Sequence, residues 1–125
     1  MHMNIGKINW KNVKEEKVSD LLTRQIVYGE KVMVARLLLK KGCVVPAHSH
    51  DNEQITWVQK GSLELTMNGR KQVISAGDVL VIPSNVVHEA LAAEDTEDID
   101  IFSPPRMDWI TGKDAYLRDA VNRKE

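Results

Sequence analysis

The chain has 125 residues, enough for one domain with a real core (residues 1–125) and too few for two. Lys and Arg total 17 against 18 Asp and Glu, a formal charge of −1, so no basic field exists to hold a nucleic-acid backbone. Cys43 is the only cysteine, which excludes an internal disulfide and fits a reducing compartment; its apolar neighbours favour a packed, inert thiol.

Residues 1–20 are mixed and polar, with no apolar run of signal-peptide length, and no later segment approaches a membrane span. The expectation is a soluble, cytoplasmic protein. Ile8, Asn9 and Trp10 suggest an edge strand, and residues 14–17 a solvated charge cluster. Residues 23–28 are strand-like and turn at Gly29-Glu30 into a second strand over 32–40. Both faces of that second strand are mostly apolar, interrupted by Arg36, so it needs cover on two sides from a second sheet or a partner subunit.

Residues 54–60 form the next strand, with Gln54, Thr56 and Val58 on one face and Ile55, Trp57 and Gln59 on the other. Leu63, Leu65 and Met67 alternate with Glu64 and Thr66, and Asn68-Gly69 then predicts a type I′ hairpin returning through 70–75. Residues 79–82 read as a short buried strand broken by Pro83-Ser84-Asn85, and 86–92 as another. The acidic run 94–98 reads as a solvated loop. Residues 99–102 are the last convincing strand, with Asp100 and Phe102 on one face, and 112–124 carry a weak helical pattern. Many short strands with closely spaced turns argue for a small antiparallel barrel or jelly roll.

Within this pattern His48 and His50 stand two residues apart, which in an extended strand puts both imidazoles on one face. His88 arrives from a second strand setting. Three histidines with a nearby Gln54 or Glu53 make a candidate metal site of nitrogen and oxygen donors.

These residues resemble the cupin superfamily. Gly42, His48, His50 and Gly61 fall on its first motif, Gly-x5-His-x-His-x3,4-Glu-x6-Gly, with Gln54 at the Glu position and Glu53 one residue early. Gly77, Pro83 and His88 match its second motif, where Asn85 replaces a Gly and Ala92 an Asn. Asn tolerates the left-handed conformation, so the turn survives that replacement. The resemblance implies an all-β double-stranded β-helix, the cupin jelly-roll barrel, closed by a short C-terminal helix.

A narrower resemblance lies in Asp100-Ile101-Phe102-Ser103-Pro104-Pro105-Arg106-Met107-Asp108-Trp109. With His-x-His-x2-Glu-Gln, it is similar to the small cupins of pectin and alginate degradation, which convert 4,5-unsaturated monouronates to linear 5-keto-4-deoxyuronates. The resemblance implies a divalent metal (Ni, Fe, Mn or Zn) held by His48, His50, Gln54 and His88, with Asp100, Phe102 and Arg106 lining the active site. Strand alternation favours Gln54 inward and Glu53 outward; the competing assignment makes Glu53 the ligand. Arg106 is expected to clamp a carboxylate, against the alternative of a surface pair with Asp108.

The implied partner is therefore a small carboxylated sugar. Two other functions stay open: a metal-dependent dioxygenase acting on a small enol or diol, and a non-catalytic ligand-sensing cupin. A homodimer is expected, because the doubly apolar 32–40 strand and the Ile55/Trp57 face need cover.

Overall fold

The structure is a computed structural model that describes residues 4–121. Ten strands follow in order: β1 Glu16–Lys17, β2 Leu22–Tyr28, β3 Met33–Leu39, β4 Val44–His48, β5 Glu53–Lys60, β6 Ser62–Met67, β7 Arg70–Ser75, β8 Val79–Ile82, β9 His88–Ala92 and β10 Thr96–Ser103. They form a six-stranded sheet, β1-β2-β3-β10-β5-β8, facing a four-stranded sheet, β4-β9-β6-β7. From β3 onward the chain changes sheet at every connection except the β6–β7 hairpin and the β7–β8 turn's return to the first sheet completes the roll. This is the double-stranded β-helix expected from the motifs. Two short helices follow, α1 Met107–Ile110 and α2 Ala115–Val121.

Period-two alternation explains how the sheets close on each other. On β3, Met33, Ala35, Leu37 and Leu39 are buried while Val34, Arg36 and Leu38 between them are half-buried. On β10, Thr96, Asp98, Asp100 and Phe102 all point inward, and the strand is paired on both sides, with β3 and β5. The opposing sheet contributes Leu63, Leu65, Ile74 and Ala92 to the same core. Asn68 and Gly69 take φ of 52° and 74°, the positive values the hairpin turn requires.

Several local expectations are corrected. Trp10–Asn12 is a single 3₁₀ turn rather than an edge strand, because the Asn9 side chain accepts from the Lys11 amide and Gln25 Nε2 donates to the Trp10 and Val13 carbonyls. Within the presumed charge cluster, Glu16 begins β1 and pairs with Arg24 and Arg118. The strand β8 is buried on one face only: it is an edge, Leu80 and Ile82 pack inward, and Val79 and Val81 are more than half exposed beside Trp57 and Ile55. The acidic run is not a loop beyond Glu94-Asp95, since β10 starts at Thr96 and buries Asp98. The C-terminal helix starts at Ala115, and residues 122–124 of the expected segment lie outside the described residues.

The tail is locked to the body by charge. Arg24, fully buried, donates through Nε to Glu16 (3.0 Å), and its Nη1 lies 2.9 Å from Asp114 Oδ2, an ion pair at an oblique angle. Arg118 in turn holds Asp114 and Glu16 at 2.8 and 2.7 Å. Removing one partner of such a buried pair strands the other charge, so this cluster fixes where α2 sits.

Gly61, the last glycine of the first motif, has φ +84°, and a Cβ there would collide with the Asp95 carbonyl and with Thr96. Both strain and backbone overlap oppose any side chain. Gly61→Ala is therefore expected to destabilise the fold by about 2 kcal/mol or more, measured by urea unfolding. A value within experimental error of zero would contradict the packing described.

Candidate metal centre and catalytic cavity

His48 and His88 are cross-strand partners at the ends of β4 and β9. The pairing slips between Val45 and His48, a bulge that spends an extra residue and re-aims His48 into the barrel. His50 lies past the end of β4, in the loop whose backbone is tied down by the Asn85 amide donating to the His50 carbonyl at 2.8 Å. Asn85 makes that turn with φ 65°. The three ligand nitrogens lie within 4.8 Å of one another.

The tautomers follow from the neighbours. Each Nδ1 faces a backbone carbonyl: His48 that of Pro46 (2.7 Å), His50 that of Asn52 (3.0 Å) and His88 that of Val86 (2.9 Å). A carbonyl only accepts, so each Nδ1 carries the hydrogen and each Nε2 presents a lone pair. Burial pushes the His48 imidazole down to about 4, and the nearby Arg106 guanidinium opposes a further positive charge there. Burial lowers His50 and His88 as well. All three rings are therefore neutral at physiological pH.

Gln54 is buried and inward, and Glu53 is exposed. Thr56 gives its single hydroxyl proton to Asp100 Oδ1 (2.9 Å), so it accepts from Gln54 Nε2 (2.9 Å). That turns Gln54 Oε1 to His50 Nε2, 3.1 Å away. Two acceptors face each other there, and His88 Nε2 is buried with no partner. Lone pairs gathered without hydrogens fit a cation. This donor set, three imidazoles and a neutral amide oxygen, suits a divalent transition metal.

The barrel interior beside the histidines is a cavity of about 50 Å³ whose walls include Gln54, Asp98, Asp100, Phe102, Arg106 and Tyr116. His48, Arg106 and Tyr116 also border an outer cleft of about 600 Å³. Arg106 pairs with Asp108, as one reading of the sequence had it, yet it is buried rather than superficial. Its Nε and Nη2 donate to Asp108 at 3.0 and 2.8 Å, and Nη2 to Tyr116 Oη at 2.7 Å. The guanidinium lies over Trp109 (4.6 Å) and Phe102 (5.1 Å). The structure thus brings His48, Gln54, His88, Asp100, Phe102 and Arg106 to one cavity, while His50 borders the outer cleft and meets Phe102 edge-on at 5.8 Å.

Three contributors were missed. Tyr116 on α2 packs against His48 at 4.9 Å and holds Arg106. Asn52 Nδ2 donates to the Pro104 carbonyl (2.6 Å), pinning the corner that delivers Arg106. Asp98 lies buried behind Asp100; its position two residues earlier on the same strand face was the available signal.

A pH dependence follows. The unfolded chain titrates its histidines near 6.5, whereas folded His48 resists protonation until about 4. Metal-free protein should hold full stability above pH 6.5 and lose it progressively as the pH falls toward 4, followed by thermal melting. Unchanged stability across that window would contradict buried neutral rings. His88→Ala should weaken divalent-metal binding by about 100-fold or more in calorimetric titration.

Comparison with known proteins agrees with this geometry. The cupin domain model matches residues 35–103. The pectin degradation protein KdgF of Dickeya dadantii is 31% identical over 98 residues, 76% of this chain and 89% of that protein. KdgF from Halomonas sp. superposes with a TM-score of 0.75 at 32% identity, covering 79% of this chain and 94% of that one. An RmlC-like cupin from Shewanella frigidimarina superposes at 0.76 with 27% identity, over 87% of this chain and 96% of that one. On its motifs, its roll of strands and its histidine cluster, the chain belongs to the cupin domain family.

Proposed function

We propose that this cupin opens the ring of 4,5-unsaturated monouronates to give linear 5-keto-4-deoxyuronates. The reading rests on Asp100, Arg106, His48 and His88 sharing one cavity, with His50 completing the histidine cluster from the outer cleft, in a chain similar to two KdgF proteins. His48, His50, Gln54 and His88 are the residues assigned to hold a divalent metal. When bound, that ion supplies Lewis-acid stabilisation of negative charge on substrate oxygen.

The remaining work falls to side chains. The substrate is a cyclic hemiacetal whose C1 hydroxyl must lose a proton and whose C4 must gain one. Asp100, fed by the Thr56 hydroxyl and close to Arg106, is the group assigned to move that proton. Arg106 is assigned to the C6 carboxylate: Asp108 and Tyr116 occupy Nε and Nη2, which leaves Nη1 without a partner among the described residues. Phe102 braces the guanidinium and His50. The inner cavity admits about a water or two by volume, so the sugar is expected to occupy the outer cleft as well, with Tyr116 giving way.

A second copy is our assignment for the exposed apolar patch formed by Trp57, Val79 and Val81, because β8 pairs only with β5 and its free edge invites pairing. Sedimentation of a monomer at micromolar concentration would remove it.

The direct assay follows 4,5-unsaturated galacturonate by NMR with metal-loaded protein. The linear product should form faster than in buffer, without oxygen uptake. Asp100→Asn should lower kcat by about 10²-fold or more, and Arg106→Lys should mainly raise KM. Product forming at the buffer rate contradicts the assignment, and stoichiometric oxygen consumption favours dioxygenase chemistry instead.

A further inference from the structure

Asp98 is only 2% exposed and lies on the inward face of β10, two residues before Asp100. Both carboxyls line the barrel cavity from consecutive inward positions of one strand face. Asp98 Oδ1 is buried with no donor to accept from. Two neighbouring carboxylates shut away from water do not both ionise; the pair carries one negative charge.

The surroundings decide which member bears it. Asp100 accepts from Thr56 and feels His88 and Arg106. Asp98 has the Trp57 backbone as its other polar contact, and its register neighbours are Leu37 and Val58. Burial and the Asp100 charge push its carboxyl well above the usual carboxylate range. The ionisable groups facing the pair across the cavity are His48, His88, Arg106 and Tyr116. A proton on Asp98 converts an orphaned acceptor into a donor with Asp100 as its acceptor.

We propose that Asp98 is a positioning residue, a neutral carboxylic acid that donates a hydrogen bond to Asp100 and holds it as the proton-transferring member of the pair. The consequence for turnover rests on the uronate reading. There, the O1–H bond breaks and its proton passes to Asp100, while the O1 electron pair forms the C1 carbonyl. The C1–O5 bond breaks onto O5, which becomes the C5 ketone oxygen as the C4–C5 double-bond pair takes the proton from Asp100 at C4. Nothing is oxidised, Asp100 is regenerated, and Asp98 keeps its proton throughout.

Infrared spectroscopy of the metal-loaded protein at neutral pH tests the assignment without any substrate. The wild type should show a protonated-carboxyl C=O band that shifts in D₂O and is absent in Asp98→Asn. A wild type without that band, or a band that persists in Asp98→Asn, overturns the proposal. With substrate, Asp98→Asn still donates and should keep kcat within about tenfold, whereas Asp98→Ala should lower kcat by about 10²-fold with KM little changed. Wild-type kcat in a folded Asp98→Ala also overturns it. If the wild type turns over no uronate, the functional reading fails alone and the infrared band still decides the role of Asp98.

Discussion

Everything in the site depends on three hydrogen bonds from imidazole Nδ1 to backbone carbonyls two residues away. They are short-range, so each is set by local chain geometry: a bulge for His48, the start of β9 for His88, and an asparagine turn for the loop carrying His50. Their effect is to commit each ring to one tautomer and to strip the centre of the cluster of hydrogens. A group of buried lone pairs with no donor is costly. A bound cation would repay that cost, and the neutral amide of Gln54 is turned toward the same centre by the Thr56–Asp100 chain of hydrogen bonds.

The strand β10 carries the rest. Its inward residues run Thr96, Asp98, Asp100, Phe102, so one period-two face supplies both carboxyls and the aromatic floor. The chain then turns at Pro104-Pro105, held by Asn52, and presents Arg106 back over Phe102 and Trp109. The Arg24–Asp114–Glu16–Arg118 cluster on the outer side sets α2, and with it Tyr116, against His48. Buried ion pairs are weak sources of stability. Here their value is positional, since they determine which side chain closes the mouth of the barrel.

Much of this was legible in the sequence where a residue's role follows from its own neighbours. The Asn68-Gly69 turn, the inward Gln54 and outward Glu53, and the outward Trp57 all follow from period-two alternation and turn chemistry. The histidine cluster came from motif spacing, and the residues of the Asp100–Trp109 segment from resemblance rather than from pattern. What stayed hidden depends on distant contacts. Asp98 sits in an acidic run whose composition suggests solvent, and only its pairing between β3 and β5 buries it. Val79 and Val81 look like core residues because hydrophobicity does not reveal that β8 is an edge. Tyr116 carries no local signal, because its place is decided by charges on β1 and β2.

Three imidazoles and an amide oxygen are placed to hold one divalent ion. X-ray absorption spectroscopy of the metal-loaded protein would see that shell. It should consist of nitrogen and oxygen only, with outer-shell scattering from three imidazoles that drops to two in His88→Ala. Cys43, buried and with its thiol pushed up to about 11, should contribute nothing. A sulfur scatterer, or fewer than three imidazoles in the wild type, would contradict it.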